Sequence, residues 1–371
     1  MISNKNTSGK IDIVGSFLLP EDLVAVATRH AAGTIDRNHL EAVENDAIAR
    51  LVEDQIAAGL SEITSGEFRR KRWDKDFWFG LDGISCERVE NGHIYQPLDT
   101  FTDLMRFTGR ICFNPNHSFF RDFAYLRSIA AGRARCRQTL PSPANLYLEI
   151  LSMTDGHPDQ IYPGTDCLLD DIASAYNTTL RHFYRLGCRH IQFDDTACGL
   201  LCDGNYIKRL LQGGVNLIAL HAQIIGLFNK SVADLPEDME LSLYLSGGDT
   251  IVPEWEFMQF PDKIIPKVLS QVSVEKFFLP FSIGNDCQFE VLRHIPDGKK
   301  VVLGLADAHT PFIDNPAGIL AAVAKALRYI SDENLTVSPR TGFKLTSYMS
   351  RGLNYNSQWL KLSHLRKALH A

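Results

Sequence analysis

The chain has 371 residues, of which 45% are hydrophobic and 22% charged, and its formal net charge is −6. This composition fits a folded globular protein, and the charge gives no electrostatic case for nucleic acid as a partner. No apolar run approaches the roughly 18 residues of a membrane span, and the opening MISNKNTSGK lacks the apolar segment of a secretory signal, so a cytoplasmic protein is expected.

Eight short apolar runs punctuate the chain: Ile11–Phe17, Leu60–Phe68, Ala134–Pro143, His190–Asp195, Glu240–Gly247, Lys276–Ser282, Val301–Asp307 and Leu335–Phe343. Helical stretches separate most of them, which predicts a (β/α)8 TIM barrel forming a single domain. The first run ends at Gly15-Ser16-Phe17, and Pro20-Glu21-Asp22 opens a helix. From His39 to Ala58, Leu40, Val43, Ala47, Ile48, Leu51 and Ile56 recur at helical spacing, so one face packs on the barrel.

The second run ends at Ser65-Gly66-Glu67 and leads into Arg69-Arg70-Lys71-Arg72, which reads as a solvated segment, with a phosphate or carboxylate site as the alternative. Residues 81–125 break the alternation. Asn91-Gly92 is a hairpin signal and Leu104–Phe113 a further strand, so this is a β-rich excursion that would cover the mouth or mediate a homodimer. Helices are expected over Asp170–Leu186, Tyr206–Asn229, Phe260–Val272, Pro316–Ile330 and Asn356–Ala371.

In such a barrel the chemistry sits at the C-terminal strand ends. Ser16, Glu67, Asp194, Asp195, Asp249, Asp307 and His309 should therefore converge on one mouth. A carboxylate buried there needs a cation, a metal or several donors. Ser246-Gly247-Gly248-Asp249 offers a small-residue anion cradle, and His221 reads as structural. The eight cysteines contain no CxxC pair, which argues against a disulfide scaffold and a finger-type zinc site; Cys198 and Cys202 follow the fourth strand. GxGxxG, GxxxxGK[ST], HExxH and GxSxG are all missing from the chain.

The strand-end motifs resemble those of the cobalamin-independent methionine synthase family, in its short single-barrel branch. The resemblance rests on Val14-Gly15-Ser16-Phe17, Ser65-Gly66-Glu67-Phe68-Arg69-Arg70, Gln192-Phe193-Asp194-Asp195-Thr196, Leu292-Arg293-His294, Lys299-Lys300-Val301-Val302-Leu303-Gly304-Leu305 and Ser338-Pro339-Arg340-Thr341-Gly342-Phe343. It implies a zinc ion held by one His, two Cys and one Glu to activate the thiol of homocysteine. The four matching positions carry Tyr244, Ser246, Pro280 and Thr341, which cannot make a normal zinc site. No cofactor is expected.

By the same resemblance, Gly15, Ser16, Glu67 and Asp194 hold the carboxylate and ammonium of an amino-acid substrate. The expected activity is therefore zinc-free chemistry on a small amino acid or related carboxylate, either alkyl transfer or elimination and rearrangement. Asp195, Tyr244, Asp249, Asp307 and His309 are the candidate acid–base groups. Two alternatives stand beside it: a thiol methyltransferase with a rebuilt metal site, and a non-catalytic barrel that binds an amino acid or a partner.

Overall fold

Short runs rich in Val, Ile, Leu and Phe, buried on both faces, suit the strands of a parallel barrel better than those of an open antiparallel sheet. The computed structural model describes residues 11–90, 101–153, 157–246, 264–344 and 352–370. In chain order its strands are β1 (Glu62–Ile63), β2 (Asp82–Glu90), β3 (Phe101–Cys112), β4 (Arg135–Cys136), β5 (Gln138–Pro141), β6 (His190–Asp195), β7 (Glu240–Leu245), β8 (Lys276–Pro280), β9 (Lys300–Ala306) and β10 (Leu335–Pro339). β5 to β10 form a parallel sheet in sequence order, and β1 pairs with β4 in the same sense. The segment 11–17 closes the ring, with Ile11 bridging Val337 of β10 and Ser16 bridging Gly66 beyond β1. The result is a TIM barrel.

Three of the expected strands are shorter or more broken than the apolar runs suggest. The first is reduced to its two bridges, because Gly15 at φ +140° leaves the extended conformation. In the second, only Glu62–Ile63 lies in the ladder, since Gly66 and Glu67 turn the chain at φ +66° and +60°. The third changes partner at Arg137: Cys136 pairs with Ile63, whereas Gln138 pairs with Ile191. The expected helix Tyr206–Asn229 is two helices, Gly204–Gln212 and Leu217–Ser231. Gly214 at φ +79° ends one, and Asn216 caps the other by accepting from the amides of Ile218 and Ala219.

The excursion between the second and third barrel strands is the antiparallel hairpin β2–β3. Its Asn91-Gly92 turn lies outside the described residues. β3 docks on the helix Thr165–Arg185 through a bidentate Arg110–Asp171 pair at 2.7 Å, and the Ile111 amide donates to Tyr162 at 2.6 Å. No single helix among the described residues is long and apolar enough to cross a membrane.

Alternate residues of a barrel strand face inward. At the N-terminal ends this places charges inside the ring. Lys276 Nζ lies 3.0 Å from Glu240, 3.3 Å from Glu62 and 3.7 Å from Asp12, and Arg137 pairs with Asp12 at 2.9 Å. His190 bonds Glu62 through Nδ1 and Ser242 through Nε2, both at 2.8 Å. One apolar layer of Val14, Tyr244, Phe278 and Val302 packs in the interior.

Candidate functional site

The rim of the mouth is a chain of contacts between residues remote in sequence. Gly15 can hold φ +140° because it lacks a β-carbon, which would otherwise sit 2.8 Å from Thr139 Cγ2. That turn delivers Ser16 beside Gly66. A β-carbon on Gly342 would lie 1.9 Å from Ser16 Oγ, so glycine there lets the last strand close against the first. Phe343 N donates to Ser16 O at 3.1 Å, and Ser16 Oγ donates to Lys344 O at 3.1 Å.

Glu67 follows immediately. It is buried, and its Oε1 accepts from Arg70 Nη1 at 2.8 Å and Thr139 Oγ1 at 2.7 Å. Arg70 also donates to Thr139 O at 2.8 Å and stacks on the Phe119 ring. The basic run is therefore not solvated as expected. Arg69 and Arg70 are 7% exposed and ion-paired, Arg69 with Asp122 and Glu44. Lys71 is exposed and Arg72 has 39% side-chain exposure, so these two keep the expected character.

On β6, Gln192 and Asp194 face inward, whereas Phe193 packs outward on Phe228. Gln192 Nε2 donates to Val14 O at 2.6 Å and to Asp194 Oδ1 at 2.7 Å. Burial pushes the Asp194 carboxyl up to about 8, and the nearby negative charge of Glu67 adds to the shift. At neutral pH the Asp194 carboxyl therefore favours its protonated form.

Asp195 corrects an expectation. It falls on the outward side of β6, where its Oδ1 accepts from the Cys198 amide at 2.9 Å at the start of the helix Ala197–Leu200. Desolvation raises its pKa although this amide and the Ser142 hydroxyl oppose the rise. It caps a turn rather than reaching the mouth. Cys198 is buried against it and its thiol is pushed well up, first by burial and then by the Asp195 charge, so it is no ready thiolate. Cys202 is buried as well.

The other side of the mouth comes from β9 and β10. Burial would raise Asp307, but the His309 amide at 2.8 Å, the Thr310 hydroxyl at 2.7 Å and the Arg340 charge outweigh it and hold the carboxyl low. Asp307 is thus a braced carboxylate rather than a poised base. His309 Nε2 lies 2.7 Å from Thr341 Oγ1. Asp249 and the Gly247-Gly248 turn lie outside the described residues.

The donor set at the four positions matched to zinc ligands does not fit that ion. Tyr244 packs with Phe278 and Val302, Ser246 offers only a hydroxyl, Pro280 has no donor atom, and the Thr341 hydroxyl is engaged by His309. Among the described residues, Glu62, His190 and Glu240 bring ligand atoms within 4.8 Å of one another. They sit at the opposite end of the barrel, where Lys276 already supplies the cation.

A family model described as the catalytic domain of cobalamin-independent synthase matches residues 257–351. YxjH of Bacillus subtilis, an uncharacterised protein, is 30% identical over 360 residues, covering 96% of this chain and 92% of its own. A structure from Listeria monocytogenes of a protein proposed to be a vitamin-B12-independent methionine synthase superposes with a TM-score of 0.76 at 26% identity, covering 97% of this chain and 96% of that one. A B12-independent methionine synthase from Shewanella, solved with selenomethionine, shares the fold at a TM-score of 0.67 and 18% identity, covering 97% and 96%. The chain belongs to the cobalamin-independent methionine synthase-like family, in its short single-barrel branch.

Proposed function

We propose that this chain is an enzyme acting without the family's zinc on a small amino acid or related carboxylate, by alkyl transfer or by elimination and rearrangement at a carbon or sulfur centre. One observation carries the reading. Asp194 and Glu67 form a carboxyl pair at the mouth, and a bound ammonium would favour ionisation of the proton-holding Asp194. Ser16 and the Gly15 turn stand on the adjoining strand to take a carboxylate. Side chains without thiolate, imidazole or carboxylate at the four metal positions support chemistry that does not pass through zinc. His309 beside Thr341 and the Tyr244 phenol are the proton-handling groups of this reading, with Asp307 bracing the loop that carries His309.

The test uses L-methionine, chosen because the Shewanella relative was solved with selenomethionine, and 4-(methylthio)butanoate, which lacks the amine. Glu67→Gln keeps the shape and removes one charge. Calorimetry should show at least a tenfold loss of affinity for L-methionine, about 1.4 kcal/mol, with the carboxylate binding no worse. Unchanged binding of both ligands would make Glu67 structural and end the amino-acid reading. Plasma mass spectrometry of the purified protein should find well under one zinc per chain. Stoichiometric zinc would instead favour a thiol methyltransferase with a rebuilt metal site.

A further inference from the structure

We infer that Lys344 is a positioning residue for substrate amine binding: its ammonium ties down the turn that aims Glu67 into the mouth. This rests on the reading of Glu67 as an ammonium holder. Glu67 is not a glycine, yet it sits in the left-handed region at φ +60°. Side chains rarely adopt that conformation unless the surroundings impose it. Lys344 Nζ donates to the Glu67 carbonyl at 2.7 Å and to the Arg70 carbonyl at 3.2 Å, spanning both ends of the turn. Inside the turn, Arg70 N closes on Glu67 O at 3.0 Å. The Lys344 backbone carbonyl meanwhile accepts from Ser16 Oγ.

One residue thus joins the two elements that would hold the two ends of an amino acid. The lysine is half-buried, and desolvation lowers its pKa to about 8 although Glu67 opposes the shift. A lysine buried for packing alone would need no charge. Here both bonds end on the backbone of the turn that carries Glu67. With the ammonium gone, the Glu67 carbonyl loses one of its two donors and the turn is free to relax to negative φ. The carboxylate would then swing away from Thr139 and Asp194.

Lys344→Met keeps the stem and removes the donors, and Lys344→Arg keeps donors at the same place. A crystal structure of the Met variant should show Glu67 out of the left-handed region and its contact with Thr139 Oγ1 broken. If φ stays near +60° with that contact intact, the inference is overturned whatever binds. In calorimetry the Met variant should lose about fivefold or more in affinity for L-methionine, with 4-(methylthio)butanoate within about twofold of native and the Arg variant near native for both. Equal losses for both ligands would show a merely structural lysine. If Lys344→Met does not fold, Lys344→Gln, which keeps one donor group, takes the same measurements. An amine preference missing from the native protein would defeat the amino-acid reading itself, while the Glu67 geometry of the variant would still decide the role of Lys344.

Discussion

Asp194 holds a proton that the unfolded chain gives up, and this makes its environment measurable without a substrate. An ordinary aspartate titrates near 3.9, whereas burial and the Glu67 charge lift Asp194 to about 8. Between those values the folded state binds more protons than the unfolded one, so this residue's contribution to stability falls as pH rises across the window. One proton corresponds to a slope of at most about 1.4 kcal/mol per pH unit. Asp194→Asn has nearly the same shape and does not titrate. Urea unfolding of the two proteins at pH 5, 6, 7 and 8 should therefore show a native-minus-variant stability that declines with pH. The other titrating groups, Lys344 and His190 among them, are common to both proteins and cancel in the difference. A difference flat in pH would mean that Asp194 is ionised throughout, and the case for an ammonium between the two carboxyls would weaken.

At the scale of elements, the strands were legible because most apolar runs stop at a polar cluster, as at Ser65-Gly66-Glu67 and Gln192-Phe193-Asp194, although the first three strands are shorter or more broken than their runs. Which member of a cluster faces the mouth was not legible. A strand buried on both faces gives no polar alternation to set its phase, so Asp194 and Asp195 look equivalent until Phe193 is found against Phe228. Arg69 and Arg70 were misread for a different reason. Their burial depends on Glu44, Asp122 and Thr139, contributed by other elements, and a local basic run carries no trace of them. Lys344 was missed because its partners lie 277 and 274 residues away. The split at Gly213-Gly214 was readable in principle, since paired glycines with a following Asn are a stop-and-cap signal. The apolar period on both sides hid it.

The whole barrel divides into an upper end, where Glu67, Asp194 and His309 are held by neutral and charged donors around the mouth, and a lower end whose charges are spent on one another. The division follows from inward-facing residues on every strand. Lys276 is the centre of the lower end, within 4 Å of Glu240, Glu62 and Asp12. Removing one partner of a buried ion pair typically costs about 3–5 kcal/mol because the remaining charges stay buried without compensation. Lys276→Met should therefore lose about that much stability to urea at pH 7. Acid supplies the control. Burial alone would raise Glu240, but Lys276 and then His190 outweigh it and bring the carboxyl down to about 2; Glu62 is also held well below the usual range despite its burial. Carboxyls depressed in this way stabilise the fold above their unfolded value, and that stability drains as pH falls toward the folded one. In the variant the same carboxyls are freer to take up protons, so the gap between native and variant should narrow from pH 7 to pH 4. A loss below about 1 kcal/mol at pH 7, or a gap that widens in acid, would show that Lys276 is not the ion that holds the lower barrel together.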